Sequence, residues 1–181
     1  MVAPPEKMGV RAQQSDVDFI EQTTSDKPTF FVHLPRPTTS RAKLTVQNEK
    51  RTEQLDLVTF DLDAKSGIVA IPMSSQGKSL EVGQKYLWQM AIYCDSSAQT
   101  ASVTLSGWVE RVTTPTPPQD LQERVSFYAE NGIWQDAMGS LVQLRQQGGE
   151  TDWAKDWTEL MDTAALSQFR NADLVQVVAA S

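Results

Sequence analysis

One histidine and one cysteine bound the chemistry open to this chain. A Ser-His-Asp or Cys-His site needs an imidazole within hydrogen-bond reach of the nucleophile. His33 is the single imidazole, and it stands in a β-rich run, Thr29-Phe30-Phe31-Val32-His33-Leu34, just before Pro35. Cys94 closes a run whose even positions, Trp88, Met90 and Ile92, are apolar, so it reads as a small buried hydrophobe rather than a nucleophile. A zinc site would have to take two of its four ligands from carboxylates, with no motif spacing to place them. Asp61-Leu62-Asp63-Ala64-Lys65-Ser66-Gly67 opens like a calcium loop. Lys65 then stands where an oxygen ligand is required, Ser66 replaces the turn glycine and Pro72 replaces the closing glutamate, so a polar hairpin turn is expected there. Neither a GxxxxGK[ST] nor a GxGxxG loop is present, and no nucleotide cradle is expected. Carboxylate pairs for sugar hydrolysis leave no trace in spacing. The expectation is a non-catalytic protein with no cofactor and no metal.

The aromatic residues point to binding instead. There are five tryptophans. Trp88 lies on an apolar strand face and reads as core. Trp134 begins a helix. Trp153 and Trp157 are four apart, spaced to dock a helix onto a sheet. Trp108 shares its strand face with Thr104, Ser106 and Glu110. On an open face it would be a recognition residue; the expected arrangement has the helices covering it. The apolar residues of the C-terminal tail, Phe169, Leu174, Val175 and Val178, join Trp108 as candidate partner contacts.

The elements that must position these residues fall into two blocks. From Thr29 to Val112 six short β-rich runs are separated by turn-formers, with period-two alternation clear in the second, third, fifth and sixth: Thr29–Leu34, Lys43–Gln47, Leu57–Leu62, Gly67–Ile71, Tyr86–Cys94 and Ala101–Val112. That pattern predicts an antiparallel sandwich, and the lack of an intervening long helix argues against parallel βαβ units. Gly107 inside the last run suggests a bulge. Val17–Ile20 is a candidate edge strand in an otherwise irregular arm.

Pro115, Pro117 and Pro118 end the ladder. Thr116 is the expected N-cap of the first helix, with Pro117 at its first position and Gln119 closing a capping box. That helix runs to Glu130, carrying Leu121, Val125, Tyr128 and Ala129 on one face. Asn131-Gly132 stops it, because Gly takes the left-handed conformation freely. A second helix covers Ile133–Gln146, with Trp134, Ala137, Leu141 and Leu144 in one stripe; Ala129, Ala137 and Gly139 are small enough for close helix approach. Thr151 caps a third helix bearing Trp157, Leu160, Met161 and Ala164. The residues after Leu166 are open to a last turn, an added strand or a disordered end. The fold class is therefore α+β: an antiparallel, immunoglobulin-like β-sandwich followed by a C-terminal helical hairpin plus a third helix. Its divisions are an irregular arm (1–27), a sandwich domain (28–112), a Pro/Thr linker (113–118), a helical segment of a TPR-like hairpin and one helix (119–166), and a flexible tail (167–181). One hairpin unit cannot bury both its faces alone, so it must pack on the sandwich, on the third helix or on another chain.

Composition agrees. Hydrophobic residues are 40% and charged residues 22% of 181, an ordinary globular balance. The net charge of −7 is unevenly placed. Up to Arg111 there are 12 basic and 13 acidic residues; from Val112 onward there are 4 and 10. Phosphate binding needs clustered Lys and Arg, so no nucleic-acid partner is expected. The basic stretch of Arg36, Arg41, Lys43, Lys50 and Arg51 reads as a solvated face. No apolar run approaches the roughly 20 residues of a membrane helix, and no membrane insertion is expected. The first residues lack the apolar stretch of a secretory signal, which fits a cytoplasmic protein or an exported one whose signal has been removed.

Five blocks in order carry a family resemblance: Thr23–Pro35, Leu80–Trp88, Cys94-Asp95, Gly107–Val112 and Tyr128–Ala137. Together they resemble the cyanobacterial domain-of-unknown-function family numbered 928, over about Thr23 to Met161. The resemblance implies a cyanobacterial source, a β-rich domain with a helical end, and an extracytoplasmic location, periplasmic or secreted. It carries over no catalytic or ligand residues.

Two function classes follow. The first is a protein-interaction or adaptor module, with another protein as partner and a homo-oligomer compatible with it. The second is a carbohydrate- or small-ligand-binding sandwich built around Trp108. An enzyme ranks third.

Overall fold

A computed structural model describes residues 20–93, 101, 103–147, 153–163 and 166–179, without the side chains of 153 and 154. The order is β1 (Ile20–Thr23), β2 (Thr29–Leu34), β3 (Thr38–Asn48), β4 (Gln54–Ala64), β5 (Gly67–Pro72), β6 (Lys85–Tyr93) and β7 (Val103–Arg111). Then come α1 (Leu121–Glu130), α2 (Trp134–Gln146), α3 (Trp153–Thr163), a 3₁₀ turn (Ser167–Phe169) and β8 (Leu174–Val177). The fold is mixed α+β in a sandwich-like arrangement, with a five-stranded sheet ordered β1-β7-β6-β3-β4 and a three-stranded sheet ordered β2-β5-β8.

The period-two runs explain the first layer. Leu44 and Val46 of β3, Val58 and Leu62 of β4, and Trp88 and Met90 of β6 all turn inward. They meet Phe30, Val32, Val69 and Ile71 of the other sheet in one buried cluster. The three-stranded sheet is different, because β2 and β5 carry apolar residues on both faces. All but the last residue of β5 are buried, a pattern expected of a strand covered twice. Phe31, Ile68 and Ala70 project from its far side into a second cluster with Ile133, Met138, Leu141, Trp157, Leu160 and Met161. The helices therefore lie on the three-stranded sheet, giving three layers: sheet, sheet, helices.

Several expectations are corrected here. The stretch from Leu174 is no flexible tail: β8 pairs in parallel with β5. Gly67 lets it approach, since a Cβ there would lie 2.5 Å from the Asp173 carbonyl oxygen, and the Ile68 amide donates to that oxygen. The arm ends in β1, which pairs in parallel with β7; residues 17–19 of the candidate edge strand lie outside the described residues. The sandwich thus draws strands from beyond 28–112 on both sides. Lys65-Ser66 is no hairpin turn. It carries the chain from one sheet to the other, because β4 and β5 belong to different sheets. Gly107 marks no bulge: β6 and β7 pair in unbroken register, Gly107 opposite Trp88. Any Cβ at 107 would sit 2.8 Å from the Trp88 indole nitrogen, so glycine there makes room for the ring.

Asp120, not Thr116, caps α1, accepting from the amides of Gln122 and Glu123. The reason is local: a residue before proline is pushed out of the helical region, and Pro117, the expected first helical residue, precedes Pro118. Gly132 takes the left-handed conformation as expected, with φ 73°. Gly139 makes no close helix approach; a Cβ there would meet nothing. Thr151 lies outside the described residues. Among the described residues no helix is long and apolar enough to cross a membrane.

Candidate functional site

Two concavities flank the helical layer. The larger, about 680 Å³, lies at the seam between α1, α2 and the ends of the three-stranded sheet. Its chemistry starts at Asp136, in the first turn of α2, where a carboxylate is favoured by the helix dipole. Asp136 accepts from the Thr24 amide at 2.7 Å and from the hydroxyls of Thr23 and Thr24. Tyr128 lies 3.2 Å from the Thr24 hydroxyl, and the Gln135 side-chain amide donates to the Thr29 carbonyl. Asp136, Thr23 and Thr24 are engaged in joining the end of β1 to α2, while the buried Gln135 Oε1 has no hydrogen-bond partner among the described residues. Sequence periodicity carried no sign of the Thr23-Thr24-Asp136 clasp, since its members are more than 100 residues apart.

The smaller concavity, about 320 Å³, lies among the three helices. On α1 it is lined by Gln122, Val125, Ser126, Ala129 and Glu130, a spacing that takes one face of the helix. On α3 it is lined by Asp156, Glu159, Leu160 and Thr163, again one face, with Leu141 and Leu144 of α2 also contributing. The floor is apolar and the rim carries the carboxylates of Glu130, Asp156 and Glu159. Its signal in the sequence was indirect: acidic excess after Val112, and apolar stripes on α1 and α2 wider than one contact needs.

The predicted partner contacts are not brought together. Phe169 is buried in the helical cluster, where its carbonyl accepts from the Trp157 indole. Val178 is buried in the cluster between the sheets, with Val175 packed against it, and Leu174 packs against the helical cluster. All four tail residues contribute apolar surface to the fold. Trp108 lies on the outer face of the five-stranded sheet, in register between Ile20 of β1 and Leu87 of β6. The expectation that helices cover that face is corrected, because the helical cluster is built on the three-stranded sheet. Trp108 keeps partial exposure, on the same face as Ser106 and Glu110 and their register partners Gln89 and Lys85.

Two titratable groups are perturbed. Glu21 of β1 is opposite Val109, so its side chain takes the inward direction. As a residue it keeps some exposure, yet its carboxyl is desolvated and pushed up to about 8. Attraction to the Trp88 indole works against that rise, although the indole nitrogen makes no hydrogen bond of normal geometry. His33 is held below its usual range by desolvation. Its ring centroid lies 5.0 Å from that of Phe169, and its Nδ1 has no partner among the described residues. It packs rather than being oriented by an acid or base. Among the described residues no group of three or more His, Cys, Asp or Glu is placed to hold a metal. Cys94 lies outside the described residues.

These features define a two-sheet β-rich domain with an attached helical layer. The chain belongs to the family described as Domain of Unknown Function (DUF928), whose model matches residues 2–174. No curated protein matches it.

Proposed function

We propose that this protein is a non-catalytic interaction module whose partner face is the groove formed by α1, α2 and α3. The supporting observation is the groove itself: one face of α1 and one face of α3 border an apolar floor left open to a partner. In this reading the sandwich is an immunoglobulin-like scaffold and α1–α2 a TPR-like hairpin, covered by the sheet on one side and offered on the other. His33, set against Phe169 without an orienting partner, gives no support to a catalytic role. On the family resemblance, the place of action is outside the cytoplasm of a cyanobacterium.

A photo-crosslinking residue at Leu144, in the full chain within its host, tests the reading. A protein adduct at 144, absent when the crosslinker is at Leu57 on the outer sheet face, is expected. No adduct at 144 would sink it. A second reading, carbohydrate binding, is favoured by the partial exposure of Trp108 among Lys85, Gln89, Ser106 and Glu110. It expects glycan retention that Trp108→Ala abolishes.

A further inference from the structure

We propose that the α1–α2–α3 groove receives a basic amphipathic helix of a partner protein, its apolar stripe on the groove floor and its Lys or Arg side chains against Glu130 and Glu159. The inference rests on the interaction-module reading and specifies the partner's chemistry.

Shape selects a helix. The groove is walled by α1 and α3, with residues of α2 between them, and backbone groups inside a helix are already paired with one another. No strand edge is offered, so an extended peptide entering the groove would leave its own amides and carbonyls unpaired. A helix brings its backbone already satisfied and inserts side chains alone. The lined stretch of α1, Gln122 to Glu130, spans roughly 12 Å at the usual rise per residue. Two to three turns of partner helix fill that length.

Charge selects a basic one. Glu130 is the last residue of α1, and that helix has no basic residue in its last turn. The last turn of α3 likewise has no basic residue, and Asp162 lies in it. Carboxylates at a helix C-terminus face the negative end of the dipole and are disfavoured there. Both of these helix ends border the groove, through Glu130 and Thr163. A cation brought by a partner relieves this arrangement. The ion pair between Lys155 and Glu159 is long, 3.9 Å with both side chains exposed, a contact of small value in water.

The test uses the full chain and three synthetic peptides, read by fluorescence anisotropy. One has Leu at helical spacing i, i+3, i+4, i+7 with Lys on the other face. The second replaces Lys by Glu. The third scrambles the first, keeping its charge. The expected result is binding of the first alone, weakening with salt, and lost at least tenfold in E130K/E159K. Circular dichroism checks that this variant is folded. Equal binding of the scrambled peptide, preference for the Glu peptide, or indifference to E130K/E159K would each overturn the proposal. So would a dimer that E130K/E159K dissociates, since the occupant would then be a second copy. A protein adduct at Leu144 together with failure of the Lys peptide would leave the module reading standing and remove only this partner chemistry.

Discussion

The two sheets solve different problems. The five-stranded sheet has one dry face and one wet face, so its strands alternate: β4 reads buried at Val58 and Leu62 and exposed at Leu57, Thr59 and Asp61. The three-stranded sheet is dry on both faces at β2 and β5, while β8 at its edge keeps partial exposure. Its third strand arrives from the far end of the chain, after all three helices. One sheet can be assembled largely from a continuous stretch of sequence; the other is finished only when the C-terminus returns. The sandwich thus shares strands and buried surface with the segments before and after it, and Val112 marks a change of secondary structure.

Removing the helices gives the sharpest break. A fragment of residues 23–113 lacks β8 and uncovers Phe31, Ile68 and Ala70. It is expected to be insoluble or to show collapsed amide dispersion by NMR. A well-dispersed spectrum would restore the sandwich as a domain of its own. Next in size is Gly67→Ala. The new methyl would meet the Asp173 carbonyl at 2.5 Å, a backbone atom that cannot swing away. A loss of about 3 kcal/mol by chemical denaturation is expected. Because it acts on β8 pairing, amide exchange should rise first at Ile68 and Val178. Unchanged exchange there would show that β8 contributes little to the second sheet.

The five-stranded sheet has its own weak point at β1. The Glu21 carboxyl titrates near 8 in the native protein against 4.5 when exposed. Between those values the folded state holds a proton that the unfolded state has lost, so stability falls as pH rises from 4.5 to 8 and levels off above. The contribution is at most about 5 kcal/mol across that window. Glu21→Gln should flatten the slope and be more stable than the parent at pH 9. Parallel pH profiles for the two proteins would place the carboxyl in solvent. The smallest effect belongs to the wet face: Leu57→Thr, exposed on β4, should change stability by less than about 0.5 kcal/mol. A large loss there would mean that this face is covered too.

Much of this was legible in local pattern. The runs at Lys43–Gln47, Leu57–Leu62 and Tyr86–Ile92 carried the strand period, and Asn131-Gly132 carried the helix stop. Even the double burial of β2 and β5 was visible as apolar residues on consecutive positions, Phe30-Phe31-Val32 and Ile68-Val69-Ala70-Ile71. The candidate site was legible only in its materials, the acidity after Val112 and the stripes through Val125 and Leu144. What could not be read depended on distant partners. Asp56 stands just before the expected run Leu57–Leu62, yet it lies in β4, is buried, and accepts from the amide and hydroxyl of Ser74. Glu21 looked like part of an irregular arm.

By itself the sequence determined the strand period of β3, β4 and β6 and the helix stop at Asn131-Gly132, because these follow from the stereochemistry of neighbouring residues. It also confined histidine and cysteine chemistry to one residue of each kind. Only the tertiary structure decided which face each strand shows to which layer. It brought β8 back to β5, placed Trp108 on the sheet face turned away from the helical cluster, and set Glu130 and Glu159 on the rim of one groove. Those outcomes depend on contacts between residues far apart in the chain, and the loop-closure cost of bringing such residues together is met only when the layers assemble.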